Sequence, residues 1–113
     1  MKTEKENYNG WTNYETWNVK LWIDNDQGSH EYWLDRACNW LAISQKTDIF
    51  TKEENASFDF REELKDYFEE GAQNLLEASK MQASCFSDLL GSALSNVNWQ
   101  EIAESLLEEI TNN

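Results

Sequence analysis

No proline occurs in this chain of 113 residues, and only four glycines do. Helix interiors tolerate neither residue well, so their scarcity favours helices. Four scattered glycines also cannot build the cradle that holds a nucleotide's phosphates. Histidine occurs once, at His30, and cysteine twice, at Cys38 and Cys85, far apart and without CxxC or Cys–His spacing. That argues against a zinc site of Cys and His ligands. Both thiols read as small buried hydrophobes in a reducing compartment, in preference to a disulfide. Lys and Arg number 9 against 22 Asp and Glu, a formal net charge of −13. Phosphate binding needs cations, so this balance disfavours direct contact with nucleic acid or an anionic membrane. It fits solubility alone, a basic protein partner, or imitation of a polyanion. No apolar run approaches the ~20 residues that span a bilayer, and none follows the opening MKTEKEN. The expectation is a soluble protein of the cytoplasm.

Large apolar side chains are plentiful: 13% of residues are aromatic and six are Trp. The length suits one domain with one core. Residues 1–9 are polar and mixed in charge and read as a flexible tail; 10–113 read as a single helical domain. Three Trp residues, Trp11, Trp17 and Trp22, fall in the stretch GWTNYETWNVKLWIDN from Gly10 to Asn25. Thr12 and Glu15 stand at capping-box spacing with Asn13 as a rival cap, so a first helix should begin near Asn13 and end in the turn-forming NDQG. Tyr14, Trp17 and Leu21 share one side of it, with Val19 and Ile23 roughly opposite. A helix apolar on two sides is either central in a core or only partly covered. The first reading places it at the centre; the second leaves an aromatic exposed as a binding anchor, Trp11 before the others.

Ser29 is positioned to cap a second helix to about Ser44, with His30, Trp33, Leu34, Ala37, Trp40 and Leu41 on its apolar face. His30 has no nucleophile or second histidine spaced to pair with it and reads as structural. From Gln45 to Ser57 the pattern lapses into a loop whose Ile49–Phe50 tip should pack back on the core. A third helix is expected from Ser57 to about Glu70 or beyond, buried through Phe60, Leu64, Tyr67 and Phe68, with Gly71 ending or bending it before a short apolar contact at Leu75 and Leu76. A fourth spans about Met81 to Ser95, with Phe86, Leu89, Leu90 and Ala93 inward. Asn98 caps a fifth, Glu101 completes its capping box, and Ile102, Leu106 and Ile110 form its buried stripe. Trp99 should wedge between the fourth and fifth helices. The fold class is all-α, a compact domain of about five helices with a Trp-rich central N-terminal helix.

Chemistry is hard to place on this chain. General acid–base catalysis needs two acids in unlike surroundings, one desolvated, and the acids here cluster on solvent faces. No nucleophile elbow, HExxH, phosphate loop or dinucleotide fingerprint occurs. Asp24 to Gly28 faintly resembles the start of a calcium loop, but the glycine falls one place early and the last ligand would be Asp35, inside a helix. The reading is of a protein that is not an enzyme and uses no metal or cofactor. The acidic faces remain. Residues 1–50 carry a net −3 and residues 51–113 a net −10. Asp59, Glu62, Glu63, Asp66 and Glu70, with Glu69 beside them, form a stripe roughly 16 Å long at 1.5 Å per residue. Like charges at i, i+4 weaken a helix by a few tenths of a kcal/mol each, so retaining five in a row suggests a use. Glu101, Glu104 and Glu108 form a second patch.

The segment Trp11, Asn13, Tyr14, Glu15, Thr16, Trp17, Val19, Leu21 and Trp22 resembles the opening of a family of small uncharacterised proteins carried by bacteriophages, prophages and mobile elements. Ser87 to Leu90, and Asn98 to Glu104, look like that family's C-terminal helices. The resemblance covers about half of the chain and implies origin rather than mechanism. By analogy with small acidic inhibitors from such elements, the expected function is a binding protein that places carboxylates on a basic, nucleic-acid-binding groove of a host defence protein, as inhibitors of CRISPR or restriction enzymes do. The alternative is a structural or regulatory protein that binds a partner, or itself as a homodimer, through exposed aromatics.

Overall fold

Five helices make up the chain in a computed structural model that describes residues 8–112: α1 (Tyr14–Asn25), α2 (Gln27–Ile43), α3 (Lys52–Ala78), α4 (Cys85–Ser95) and α5 (Trp99–Thr111). Residues 1–7 of the expected tail lie outside the described residues, whereas Tyr8 packs its ring on Trp17 at 4.8 Å. Every helix starts on a side-chain cap. Asn13, Asp26, Thr51, Ser84 and Asn98 each accept a hydrogen bond from a backbone N–H of the first turn. These caps correct three boundaries. Asp26 rather than Ser29 opens α2, so only one residue separates it from α1. Thr51 and Glu54 form a full capping box, which starts α3 before Ser57 and shortens the loop. Ser84 delays α4 to Cys85.

Gly71 neither ends nor breaks α3, which continues to Ala78. The stop is Lys80, whose positive φ of 60° lets Met81 N–H reach Leu76 O and Lys80 N–H reach Glu77 O. This paired closure satisfies the last carbonyls, a task usually given to glycine.

The core is built from Phe60 and Leu64 of α3, Ile102 and Leu106 of α5, Ile23 and Thr16 of α1, and Trp33 and Ala37 of α2. The all-α, five-helix expectation holds, with the Trp-rich helix at the N-terminus. Within that frame the deepest place belongs to α5, which packs against α1, α2 and α3. Its buried stripe of Ile102 and Leu106 is as expected, with Ile110 partly covered. Helix α5 runs antiparallel to α3: Trp99 at its start stacks on Phe68 (5.6 Å, 24°), and Thr111 at its end shares a groove with Glu53. Phe68 also stacks on Trp33 (6.2 Å, 20°). Trp99 is therefore packed against α3.

Three further expectations fail for one reason, that exposure follows which neighbours are within reach. Ile49 stands in solvent, and Phe50, also exposed, sets its ring against the partly buried Phe58 at 4.9 Å. Phe86 and Leu89 face outward, and no residue of α4 is buried, because the far end of α3 extends past α2 and α5 and leaves α4 packed mainly on α3. Cys38 and Cys85 are free and exposed: Cys38 is the residue after buried Ala37, turned off the core face, and Cys85 is the first residue of α4. Among the described residues no helix is long and apolar enough to cross a membrane.

Candidate functional site

The aromatic N-terminal motif has a structural task. Asn13 Oδ1 accepts from both the N–H and the hydroxyl of Thr16 (2.9 and 2.7 Å), while Asn13 Nδ2 donates to Asn96 O at 2.7 Å. Thr16 Oγ1 accepts from Asn98 N–H at 2.8 Å, and Asn98 Nδ2 donates to Thr12 Oγ1 at 3.2 Å. Glu101 does not complete the capping box of α5; its Oε1 accepts from Thr12 N–H at 3.1 Å. Thr12, Asn13 and Thr16 thus clasp the α4–α5 junction, more than 80 residues away in sequence. Trp11 packs on the core and is not the exposed aromatic; Trp22 and Tyr14 are.

A second cluster joins α1, α2 and α5. Buried Lys20 donates to Asp24 Oδ2 (2.7 Å) and Glu109 Oε2 (3.0 Å), and His30 Nε2 lies 2.8 Å from Glu109 Oε1. Burial pushes the Glu109 carboxyl up, but the hydrogen bonds and charges of Lys20 and His30 outweigh it and hold the group below the ordinary carboxylate value. Asp24, His30 and Glu109 bring potential ligand atoms within 4.8 Å of one another. The ammonium of Lys20 already bridges the two carboxylates, so the arrangement works as an electrostatic staple. His30, read from the sequence as structural, pairs with Glu109 from the far end of the chain. Lys20 and Glu109 were not anticipated, although a lone lysine four residues before Asp24 in an apolar helix was the available signal.

The acidic stripe is assembled on α3. Its buried face carries Ala56, Ser57, Phe60 and Leu64, and the opposite side presents Asp59, Glu62, Asp66, Glu69 and Glu70 to solvent. Asp59, Glu62, Glu63, Asp66 and Glu70 line one groove, which Arg36 and Trp40 of α2 close on the other side. Glu63 is drawn across that groove: it accepts from Arg36 Nε at 2.9 and 3.2 Å and from Trp40 Nε1 at 2.6 Å. It fastens α2 to α3 and neutralises Arg36. Glu62 has Arg61 at 3.3 Å and Glu69 has Lys65 at 4.0 Å, both exposed pairs of little strength. Asp59, Asp66 and Glu70 make no ion pair among the described residues.

The second patch, Glu101, Glu104 and Glu108, lines one groove together with Gly10 and Trp11. Glu101 is buried in the N-terminal clasp, while Glu104 and Glu108 are exposed. Glu53 and Glu54 of the α3 start come beside Glu104 and Glu108 in one groove. Antiparallel packing of α3 and α5 makes that group of four, and no spacing within either segment announces it.

A model of a family of unknown function (DUF7249) matches residues 4–113. No curated protein and no solved structure matches the chain.

Proposed function

We propose that this chain, which belongs to that family, is a non-enzymatic acidic binding protein of phage or mobile-element origin. It acts in the host cytoplasm on a defence protein with a basic nucleic-acid-binding surface, of the CRISPR or restriction type, by offering carboxylates where phosphates would sit. The observation that carries the reading is the open groove on α3, where Asp59, Glu62, Asp66 and Glu70 stand exposed and the nearby cation Arg36 is already held by Glu63. Steps of three and four residues space these acids by about 4.5–6 Å along the helix, against about 3.4 Å per phosphate on one DNA strand. The stripe would therefore replace some phosphates of a bound strand and not every one. The net charge of −13 adds long-range attraction to a basic surface and repulsion from nucleic acid itself.

Exposed Trp22 and Tyr14 favour a second reading, binding through aromatics. One experiment separates the two. The immobilised protein is used to capture binders from host lysate, beside the triple variant Glu62→Lys, Asp66→Lys, Glu70→Lys and beside Trp22→Ala. Proteins identified by mass spectrometry are then titrated in purified form. Carboxylate mimicry requires that the triple variant lose at least about tenfold in affinity, roughly 1.4 kcal/mol. Affinity should also fall steeply between about 50 and 200 mM salt. Binding that survives both changes, or that is lost only in Trp22→Ala, refutes it.

A further inference from the structure

The α3–α4 hairpin is unlike the rest of the surface. Leu75 (62% exposed), Met81 (42%), Phe86 (58%) and Leu89 (67%) line one open groove; the groove beside it runs toward Tyr67 and Glu70, at the edge of the acidic stripe. No residue of α4 is buried, although it is a helix of 11 residues, too short to be stable on its own. Charge singles out the same segment. From Ala72 to Ser95 the only charged residues are Glu77, Lys80 and Asp88, a net −1 in a chain of net −13.

We propose that this hairpin is the dimer face of the protein, and that two copies pack their α3–α4 hairpins together into an intermolecular four-helix bundle. A pair of antiparallel helices with an uncovered apolar side is half of such a bundle, and a twofold axis supplies the other half from an identical surface. Charge argues for a second copy as the occupant. Two strongly acidic chains repel each other over most of their surface, so a self-contact must lie where charge is sparse, as it is here. A basic partner would be drawn to the acidic grooves instead. The area is that of a weak, concentration-dependent dimer: at on the order of 150–250 Å² for a large side chain, these four at their exposures give roughly 400 Å² per copy and about 800 Å² for the pair, below the size of permanent interfaces. The dimer does not depend on the acidic stripe for its stability.

Light scattering coupled to gel filtration, and sedimentation from about 5 to 500 μM, should show a species of twice the 13.3 kDa chain mass. Raising salt should strengthen the dimer by screening the self-repulsion, opposite in sign to the salt response of the acidic grooves. The double variant Phe86→Glu, Leu89→Glu should run as a monomer with unchanged helical circular dichroism, and Trp22→Glu should remain dimeric. Should the double variant misfold, the native chain still decides, because amide exchange in α4 should slow as concentration rises. A native chain that is monomeric throughout, a double variant that still dimerises, or α4 exchange independent of concentration overturns the proposal. So does a monomer that uses this face to bind lipid vesicles or a different protein.

Discussion

Thr16 is buried without being apolar, and its hydroxyl explains why. It donates to the cap residue of its own helix and accepts from Asn98 N–H at the start of α5. Thr16→Val keeps the shape but strands that N–H, which should cost about 1–3 kcal/mol in urea unfolding. Thr16→Ser keeps both bonds and should cost less. Glu109 makes a prediction about pH. Its folded value lies below the ordinary 4.5, so its contribution to stability is present above that value and lost as pH falls through the lower folded value. Melting temperatures followed downward from pH 6 should therefore fall more steeply below about pH 4.5 in the native chain than in Glu109→Gln. Equal slopes would remove Glu109 from the acid limb. At this scale the sequence narrowed the cap of α1 to Thr12 or Asn13, because capping is a local interaction, and the structure gives it to Asn13. The sequence could not show what Thr16 or Glu109 meets, because their partners lie 82 and 79 residues away.

Among the helices, α3 departs furthest from its expected extent. Its start was set by a capping box at Thr51 and Glu54, and its end by the left-handed Lys80. Gly71 sits in the middle with open space where a Cβ would project. Alanine there loses no contact and restricts the unfolded chain, so Gly71→Ala should stabilise by about 0.5–1 kcal/mol. A loss of stability in urea unfolding would mean that α3 needs the glycine to bend. The acids of α3 were legible as a stripe because i, i+3, i+4 periodicity fixes a shared face. That Glu63 would leave the stripe to hold Arg36 and Trp40 was not legible, since helix periodicity says nothing of the helix alongside. The same blindness put Phe86 and Leu89 inside: amphipathic α4 has a clear apolar face, but nothing local says whether a neighbour covers it.

For the whole molecule the governing quantity is a net charge of −13 on 113 residues. Self-repulsion opposes compaction, so added sodium chloride should raise the melting temperature between about 10 and 300 mM, in a calorimetric series. A flat or falling trend would mean that ion pairs such as Lys20 with Asp24 and Glu109 matter more than the overall field. The sequence by itself determined the fold class, five helices, most of the buried stripe of α5, and the sign and uneven distribution of charge. These follow from composition, capping and periodicity, which act within a few residues. Only the tertiary structure decided that α5 and not the Trp-rich α1 lies deepest, and that Glu53 and Glu54 join Glu104 and Glu108. It also decided that the N-terminal motif clasps the α4–α5 junction and that Phe86 and Leu89 of α4 stay uncovered. Each of those depends on which helix faces come within reach of one another, a property of packing between distant segments that no window of local sequence contains.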